Sequence, residues 1–496
     1  MSMPEPHAPA PTDAATQGGQ DAETPRVIGG LAGYAIVAGS MLGVGIFILP
    51  RQIAEAVGGT TAFFAMWLVG GLFALAGSVA CGELGAMLPK AGGDYVFQRE
   101  AFGPSTAFAS GWVLFAAIFA GSIASMSVAV FQYQVSGLVG TDLTADVLGP
   151  FSGAQLLAIV LIVLLTALND AGTRVSAGAQ IVLTLLPIAA LVVLAGVGLA
   201  SGRPDGYVAP VSPATELTIG GLAAGFLLVN FAFSGWINII YVASEVRDPG
   251  KNVPRSMIGA TFSITGLYLL LCLAFVVVLG FGGVAALGWT DAGTGMANAL
   301  GSPLLATLVL IIIAVAIVTS VNATVLSSAR VAYAMAKGGA FWAGASKLSG
   351  ARKVPRRALW LQAGLSAILV LSGTFEAIIK MTSIAMFLTG TLTVLAMFAL
   401  RRQRPELPRP YKASLYPWLP GLYVVFAIAA IIASVWEAFA STEPGSFYPL
   451  IGVGVLVVTY VGHLLYYRRA RRAAGVVVGL LAAGLLLRQL SEWTLS

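Results

Sequence analysis

The feature that most constrains this chain is a series of twelve apolar runs. Most are as long as the stretch of about 20 residues a helix needs to cross the hydrocarbon core of a bilayer. They cover residues 27–49, 60–88, 106–135, 155–168, 177–200, 219–246, 257–281, 304–336, 359–373, 377–400, 418–439 and 448–467. A soluble globule needs a wet surface and carries roughly 25% charged residues. Here charged residues make up 10%, hydrophobic ones 58%, and mean hydropathy is +0.89. Backbone polar groups in lipid must be satisfied within the segment, so runs of this kind are helices. The fold class expected is an all-α membrane protein of about twelve transmembrane helices.

Two end segments differ. Residues 1–25 are polar, lack the apolar core of a secretory signal, and are expected to form a disordered tail. Residues 473–487 form a last apolar stretch, flanked by Arg471, Arg472 and Arg488. It is short for a crossing and reads as an interfacial or packing helix.

The net charge of +6 does not indicate nucleic acid. Basic residues sit in connections between apolar runs, where they set orientation. With the N-terminus inside, the inner connections hold Lys90, Arg99, Arg174, Arg247, Lys251, Arg255, Lys337, Lys347, Arg352, Lys353, Arg356 and Arg357. Further along they hold Arg401, Arg402, Arg404, Arg409, Lys412 and the arginines after residue 467, while the outer side holds Arg51, Arg203 and Lys380. Both termini are therefore expected in the cytoplasm.

Two runs are interrupted. The first contains Ala38-Gly39-Ser40-Met41-Leu42-Gly43-Val44-Gly45-Ile46-Phe47, and the sixth contains Asn230-Phe231-Ala232-Phe233-Ser234-Gly235-Trp236-Ile237-Asn238. Glycine weakens a helix, and matching interruptions in two halves of a membrane chain point to a transport site. A broken helix offers free N–H groups at its inner half's N-terminus, suited to a carboxylate, and carbonyls at the other half's C-terminus, suited to an ammonium. A zwitterion is held by such a pair without any charged side chain. The alternative for these glycines is close helix packing.

These residues resemble the amino acid–polyamine–organocation (APC) superfamily over about residues 27 to 467. Gly43-Val44-Gly45-Ile46-Phe47-Ile48-Leu49-Pro50 is similar to its first-helix signature G-S-G-I-F-x-x-P. Glu83 to Tyr95, Phe231 to Trp236, Glu245 to Arg255, Ser320 to Arg330 and Arg401 to Tyr411 resemble further family segments. The resemblance implies a LeuT-type 5+5 inverted repeat with discontinuous helices 1 and 6, alternating access, and a bacterial inner membrane location. On that basis residues 26–402 form the transport core, 403–467 helices 11 and 12, and 468–496 a cytoplasmic segment. The nearest groups are the bacterial L-type amino acid exchangers and the basic amino acid–polyamine antiporters.

Departures from the family pattern narrow the substrate. Val44 replaces a small hydroxyl residue. Ile237 stands where cationic-substrate antiporters carry a glutamate, and Thr324 where they carry a stacking tryptophan. A guanidinium or polyamine would enter unpaired, at a cost of several kcal/mol. The expected substrate is a neutral amino acid; the alternative is a cationic amino acid or polyamine. Thr184 takes the place of a helix-five lysine that some relatives use in coupling. Thr319 and Ser320 with first-helix carbonyls are the candidate sodium ligands, and uncoupled exchange is the simplest reading.

The expected substrate-binding residues are Ser40, Met41, Gly43, Val44, Gly45, Ser122, Phe231, Ser234, Gly235, Trp236 and Ile237. Phe231 is the expected aromatic gate, and Trp236 either faces the site or packs behind the break. Glu83, Glu245 and Arg330 form either an inner-gate ion-pair network or simple end caps. No metal or cofactor is expected, nor an enzyme constellation, since no nucleotide loop, His-rich set or nucleophile–base pair occurs. The expected partners are an amino acid and the lipid bilayer, without nucleic acid. Mammalian L-type relatives join a glycoprotein through an outer-loop cysteine. Both cysteines here, Cys81 and Cys272, fall in apolar runs, so no covalent partner subunit is expected.

Overall fold

The computed structural model describes residues 24–201, 217–288, 290–350, 353–372, 375–440 and 448–469. The 473–487 stretch, most of the N-terminal tail, Arg203 and Arg352 lie outside these residues. All twelve apolar runs are largely helical. The first becomes α1 (Gly30–Met41) and α2 (Gly45–Val57), bent by 40°. Then come α3 (Thr60–Met87), a short α4 (Asp94–Phe102) and α5 (Pro104–Val139). A small hairpin, β1 (Asp146–Leu148) and β2 (Phe151–Ser152), leads into α6 (Gly153–Asp170) and α7 (Thr173–Ser201). The sixth run splits into α8 (Ile219–Ala232) and a 3-10 helix, α9 (Asn238–Glu245). After these come α10 (Pro249–Ala285), α11 (Ala292–Ala299), α12 (Pro303–Lys337), α13 (Arg356–Ser372), α14 (Phe375–Gln403), α15 (Trp418–Ala440) and α16 (Tyr448–Arg469).

Helix boundaries follow local chemistry. Gly58 closes α2 in the left-handed region (φ 64°), donating to the Ala54 carbonyl at 3.0 Å. Pro104 opens α5 at a position that needs no N–H donor. Ser152 and Gln155 form a reciprocal capping box at the start of α6. Within α5, two wider π-helical stretches, Val113–Phe119 and Val130–Val135, flank the turn that carries Ser122. Such stretches re-aim side chains and recur at functional sites.

Among the described residues, eight helices are long and apolar enough to cross a membrane, or nine if the bent pair α1–α2 counts as one span. Surface and interior are inverted relative to a soluble protein. Val182, Leu186, Val193 and Phe262 are 63% to 73% exposed, which suits lipid rather than water. The interior carries polar groups that satisfy one another. The Asn322 amide donates to Gln180 Oε1 (2.7 Å), the Asn169 amide to Asn322 Oδ1 (2.9 Å), and the Ser176 hydroxyl to Asn169 Oδ1 (2.7 Å). This web joins α6, α7 and α12 around α1. The described part of the fold is an all-α, multi-pass membrane protein.

The acidic residues expected in one network fall into two. Arg330 clamps Glu245 with two bonds (2.9 and 3.3 Å) and donates to Thr173 (2.9 Å) and the Leu326 carbonyl (2.7 Å), all buried. Glu83 takes no part in this clamp. It pairs instead with Arg401, lies 3.4 Å from Arg409 Nε, and accepts from the Ala413 N–H at 2.6 Å. Arg401 also stacks 3.7 Å over the Tyr416 ring. Glu83 therefore fastens the end of α14 and the segment after it to α3, because Arg401 ends the helix there and the returning segment brings Arg409. Glu83→Ala strands those donors in a buried site, which costs about 3–5 kcal/mol. A clear drop in melting temperature of the detergent-purified variant is the expected result.

Candidate functional site

The two interrupted runs meet at their breaks. Leu42 to Val44 separate α1 from α2, and Phe233 to Ile237 separate α8 from α9. Gly235 has φ +106°, and a Cβ there would stand 2.6 Å from Ser40 Cβ and 2.7 Å from its carbonyl carbon. A Cβ at Gly45 would stand 2.5 Å from Ala232 Cα. Glycine is required at both points because each break is pressed against the other's backbone. Polar groups complete the join. The Asn238 amide donates to Ser40 Oγ (2.7 Å), the Ser320 hydroxyl to the Ser40 carbonyl (2.8 Å), and the Tyr268 hydroxyl to the Met41 carbonyl and, at 3.3 Å, to that of Ala232. The N–H groups of Val44, Gly45 and Ile46 are without acceptors among the described residues, as expected for a helix start with no side-chain cap.

A cavity of about 80 Å³ lies against this junction. Ser40, Ser122, Phe231, Ser234, Gly235, Trp236 and Ile237 line it, as expected from the sequence. Met41, Gly43, Val44 and Gly45 do not. Met41 packs toward Tyr268 and Thr261, and Val44 is buried in the core. Gly43 sits behind the wall, its Cβ direction 3.4 Å from Ser320 Oγ and 3.6 Å from Met126 Sδ, both lining atoms' residues. The break thus presents its last α1 turn to the cavity and turns its glycines toward α8 and α12. Glu83, Glu245 and Arg330 lie off the cavity.

Sequence reasoning missed several lining residues. Asn230 and Asn238 bracket the second break as polar residues in an apolar run, a signal that was available. Thr389 and Gly390 of α14 and Tyr423 of α15 gave none. Asp94, which opens α4 outside the long apolar helices, also lines the cavity, and Tyr241 donates to its Oδ2 at 2.8 Å. Burial pushes the Asp94 carboxyl up to about 6, with the Tyr241 hydroxyl opposing. Thr324, whose hydroxyl is spent on the Ser320 carbonyl (2.8 Å), and half-buried Ile237 both face the cavity. Among the described residues, no Lys, Arg or His lines it.

The groups considered for sodium take part in hydrogen bonds within the protein. Thr184 and Gln180 donate to the Ala35 carbonyl (3.0 and 3.4 Å), and Thr319 donates to the Leu183 carbonyl (2.6 Å). No cluster of three or more His, Cys, Asp or Glu suited to a metal occurs among the described residues.

Gly235→Ala forces a Cβ into Ser40 at a backbone angle that L side chains avoid, worth about 1–3 kcal/mol of strain before the clash. We expect it to lower melting temperature and abolish transport, while Ser234→Ala does neither to the same degree.

Residues 28–458 match the amino acid permease family model. The chain is 27% identical to the large neutral amino acids transporter small subunit 2 of Mus musculus, over 90% of this chain and 83% of that one. It is also 27% identical to the serine/threonine exchanger SteT of Bacillus subtilis (strain 168), over 80% and 89% of the two chains. A third relative is the Asc-type amino acid transporter 1 of Homo sapiens, at 27% identity over 87% of this chain and 80% of that one. A match running from α1's approach to the middle of α16, with two interrupted helices joined at a central cavity, places the chain in the amino acid permease family of the APC superfamily.

Proposed function

We propose that this permease exchanges neutral amino acids by alternating access. The observation that carries the reading is the cavity wall: Ile237 and Thr324 face it in place of a carboxylate and a stacking ring, its one described carboxyl, Asp94, is bonded to Tyr241, and no Lys, Arg or His lines it among the described residues. The relatives named for neutral, serine/threonine and Asc-type substrates point the same way. On this reading the orphan N–H groups of Val44, Gly45 and Ile46, which lie off the cavity wall here, become carboxylate donors when the break turns toward the cavity during the cycle. Ser40, Ser122, Ser234 and Asn230 supply the remaining polar contacts, and Phe231 gates the cavity.

The reading extends to architecture. We take the twelve helical runs as twelve crossings in a LeuT-type inverted repeat, with the α1–α2 and α8–α9 breaks at equivalent points and α15 and α16 outside it. The Lys and Arg pattern supports cytoplasmic termini in a bacterial inner membrane. The substrate passes unchanged, without a cofactor. Cys81 and Cys272 are both fully buried, which supports a chain without a disulfide-linked partner.

Liposomes preloaded with a mixed amino acid pool test this reading. Labelled alanine or serine should enter only when internal substrate is present, and arginine and putrescine should not enter. Ile237→Glu should raise arginine uptake at least ~10-fold, the effect of about 1.4 kcal/mol of pairing. Arginine uptake by the unaltered protein in place of neutral uptake would sink the neutral reading.

A further inference from the structure

Asp94 is the one carboxyl on the cavity wall among the described residues, and recognition of a neutral amino acid leaves it unused. It is 2% exposed. Its Oδ2 accepts from the Tyr241 hydroxyl at 2.8 Å, while its Oδ1 has no hydrogen-bond partner. The neighbouring Thr393 hydroxyl is directed elsewhere, donating to the Thr389 carbonyl at 3.0 Å and accepting from the Gln98 amide at 2.9 Å. The titratable groups that face Asp94 are Cys81 of α3, Tyr241 of α9 and Tyr423 of α15, none of which carries positive charge. Along its own helix, Arg99 and Glu100 point to the exposed side. No Lys, Arg or His among the described residues forms an ion pair with it. An ionised carboxylate in such a place is costly, so the group takes up a proton instead.

The position of Asp94 gives that proton somewhere to go. A second cavity of about 480 Å³ lies on the other side of the same segments, lined by Lys90, Tyr95, Arg99, Ser244, Tyr333 and Lys337. Asp94 and Tyr241 face the central cavity, while their near neighbours Tyr95 and Ser244 face the second one. The Gly92 N–H donates to the Tyr241 carbonyl at 3.0 Å and holds this thin partition shut.

We infer that Asp94 is a proton-binding site of the transport cycle, protonated on Oδ1 while the partition is closed and discharged to water when the partition opens toward the second cavity. In that step the Oδ1–H bond breaks, the proton passes to water, and the hydrated carboxylate remains hydrogen-bonded to Tyr241. The direction follows from burial. Dehydrated, the group keeps its proton up to about pH 6 and loses it above. Hydrated, it falls back toward the ordinary carboxylate range and releases the proton at any physiological pH. Amino acid movement should therefore respond to pH and carry protons with it.

The transport arm of the test rests on the amino acid exchange proposed above; a spectroscopic arm does not. In liposomes, exchange of labelled serine by the unaltered protein should change several-fold between pH 5 and pH 8, with a midpoint near 6. Asp94→Asn should hold the rate at its acid value throughout and abolish serine-driven pH change read by an internal dye. Tyr241→Phe, which removes the bond that favours the carboxylate, should move the midpoint to higher pH. In detergent, an infrared carboxyl band should titrate over the same range and vanish in Asp94→Asn, whether or not serine proves to be a substrate. An unchanged pH profile in Asp94→Asn, or a carboxyl band that the substitution leaves intact, overturns the proposal. So does a variant whose pH response persists while its selection between serine and arginine changes, since Asp94 would then be a substrate contact.

Discussion

The contact between the two helix breaks is the constraint on which the rest of the structure depends. Gly235 rides against Ser40, and Gly45 against Ala232, at distances that admit no side chain. Breaking a helix in an apolar surrounding frees backbone groups that lipid cannot satisfy. Pressing two breaks together lets neighbours satisfy most of them: Tyr268 binds the Met41 and Ala232 carbonyls, Ser320 the Ser40 carbonyl, and Ser327 the Asn238 carbonyl. Among the described residues, the N–H groups at the start of α2 remain without acceptors, as do those of Gly235, Trp236 and Ile237 at the second break. The same packing that makes the breaks tolerable thus leaves the donors that a carboxylate would use.

Around that junction the chain handles charge in two different ways. The Glu245–Arg330 clamp and the Glu83–Arg401 pair are buried but complete, each carboxylate meeting several donors. Removing one partner from such a pair is far more damaging than the pair is stabilising. Asp94 is left incomplete, with one oxygen bonded and one free. Structural acids in this molecule are saturated with donors, and the unsaturated one stands on the cavity wall.

Much of the fold was legible in the sequence because the bilayer imposes a simple length rule. The expected run 60–88 is α3 (Thr60–Met87), and the run 418–439 is α15 (Trp418–Ala440). Both breaks were legible too, since glycines beside polar residues stand out in apolar runs. The site was only partly legible. Seven expected residues line the cavity, yet the first-run glycines turn away from it, because side-chain direction at a non-helical step has no sequence period. Thr389 and Tyr423 come from helices whose facing depends on packing alone. Glu83 finds Arg401 across 318 residues, a pairing that spacing cannot predict; Glu245 and Arg330, read as either part of an ion-pair network or end caps, do pair.

The segment before α1 and the segment after α9 are stitched by a short parallel bridge. Ile28 N–H donates to the Glu245 carbonyl at 2.9 Å and Arg247 N–H to the Ile28 carbonyl at 2.8 Å, with Thr24 and Ser244 hydroxyls in contact at 3.1 Å. Both half-helices that reach the junction from this side are therefore yoked at their far ends as well as at the breaks. A yoked pair behaves as a single lever with its fulcrum at Ser40 and Gly235. Swinging it leaves the stitch intact and loads the Arg330–Glu245 clamp, which ties α9 to α12. That clamp couples the yoked pair to α12 at its far end, as the Ser320–Ser40 bond does at the break.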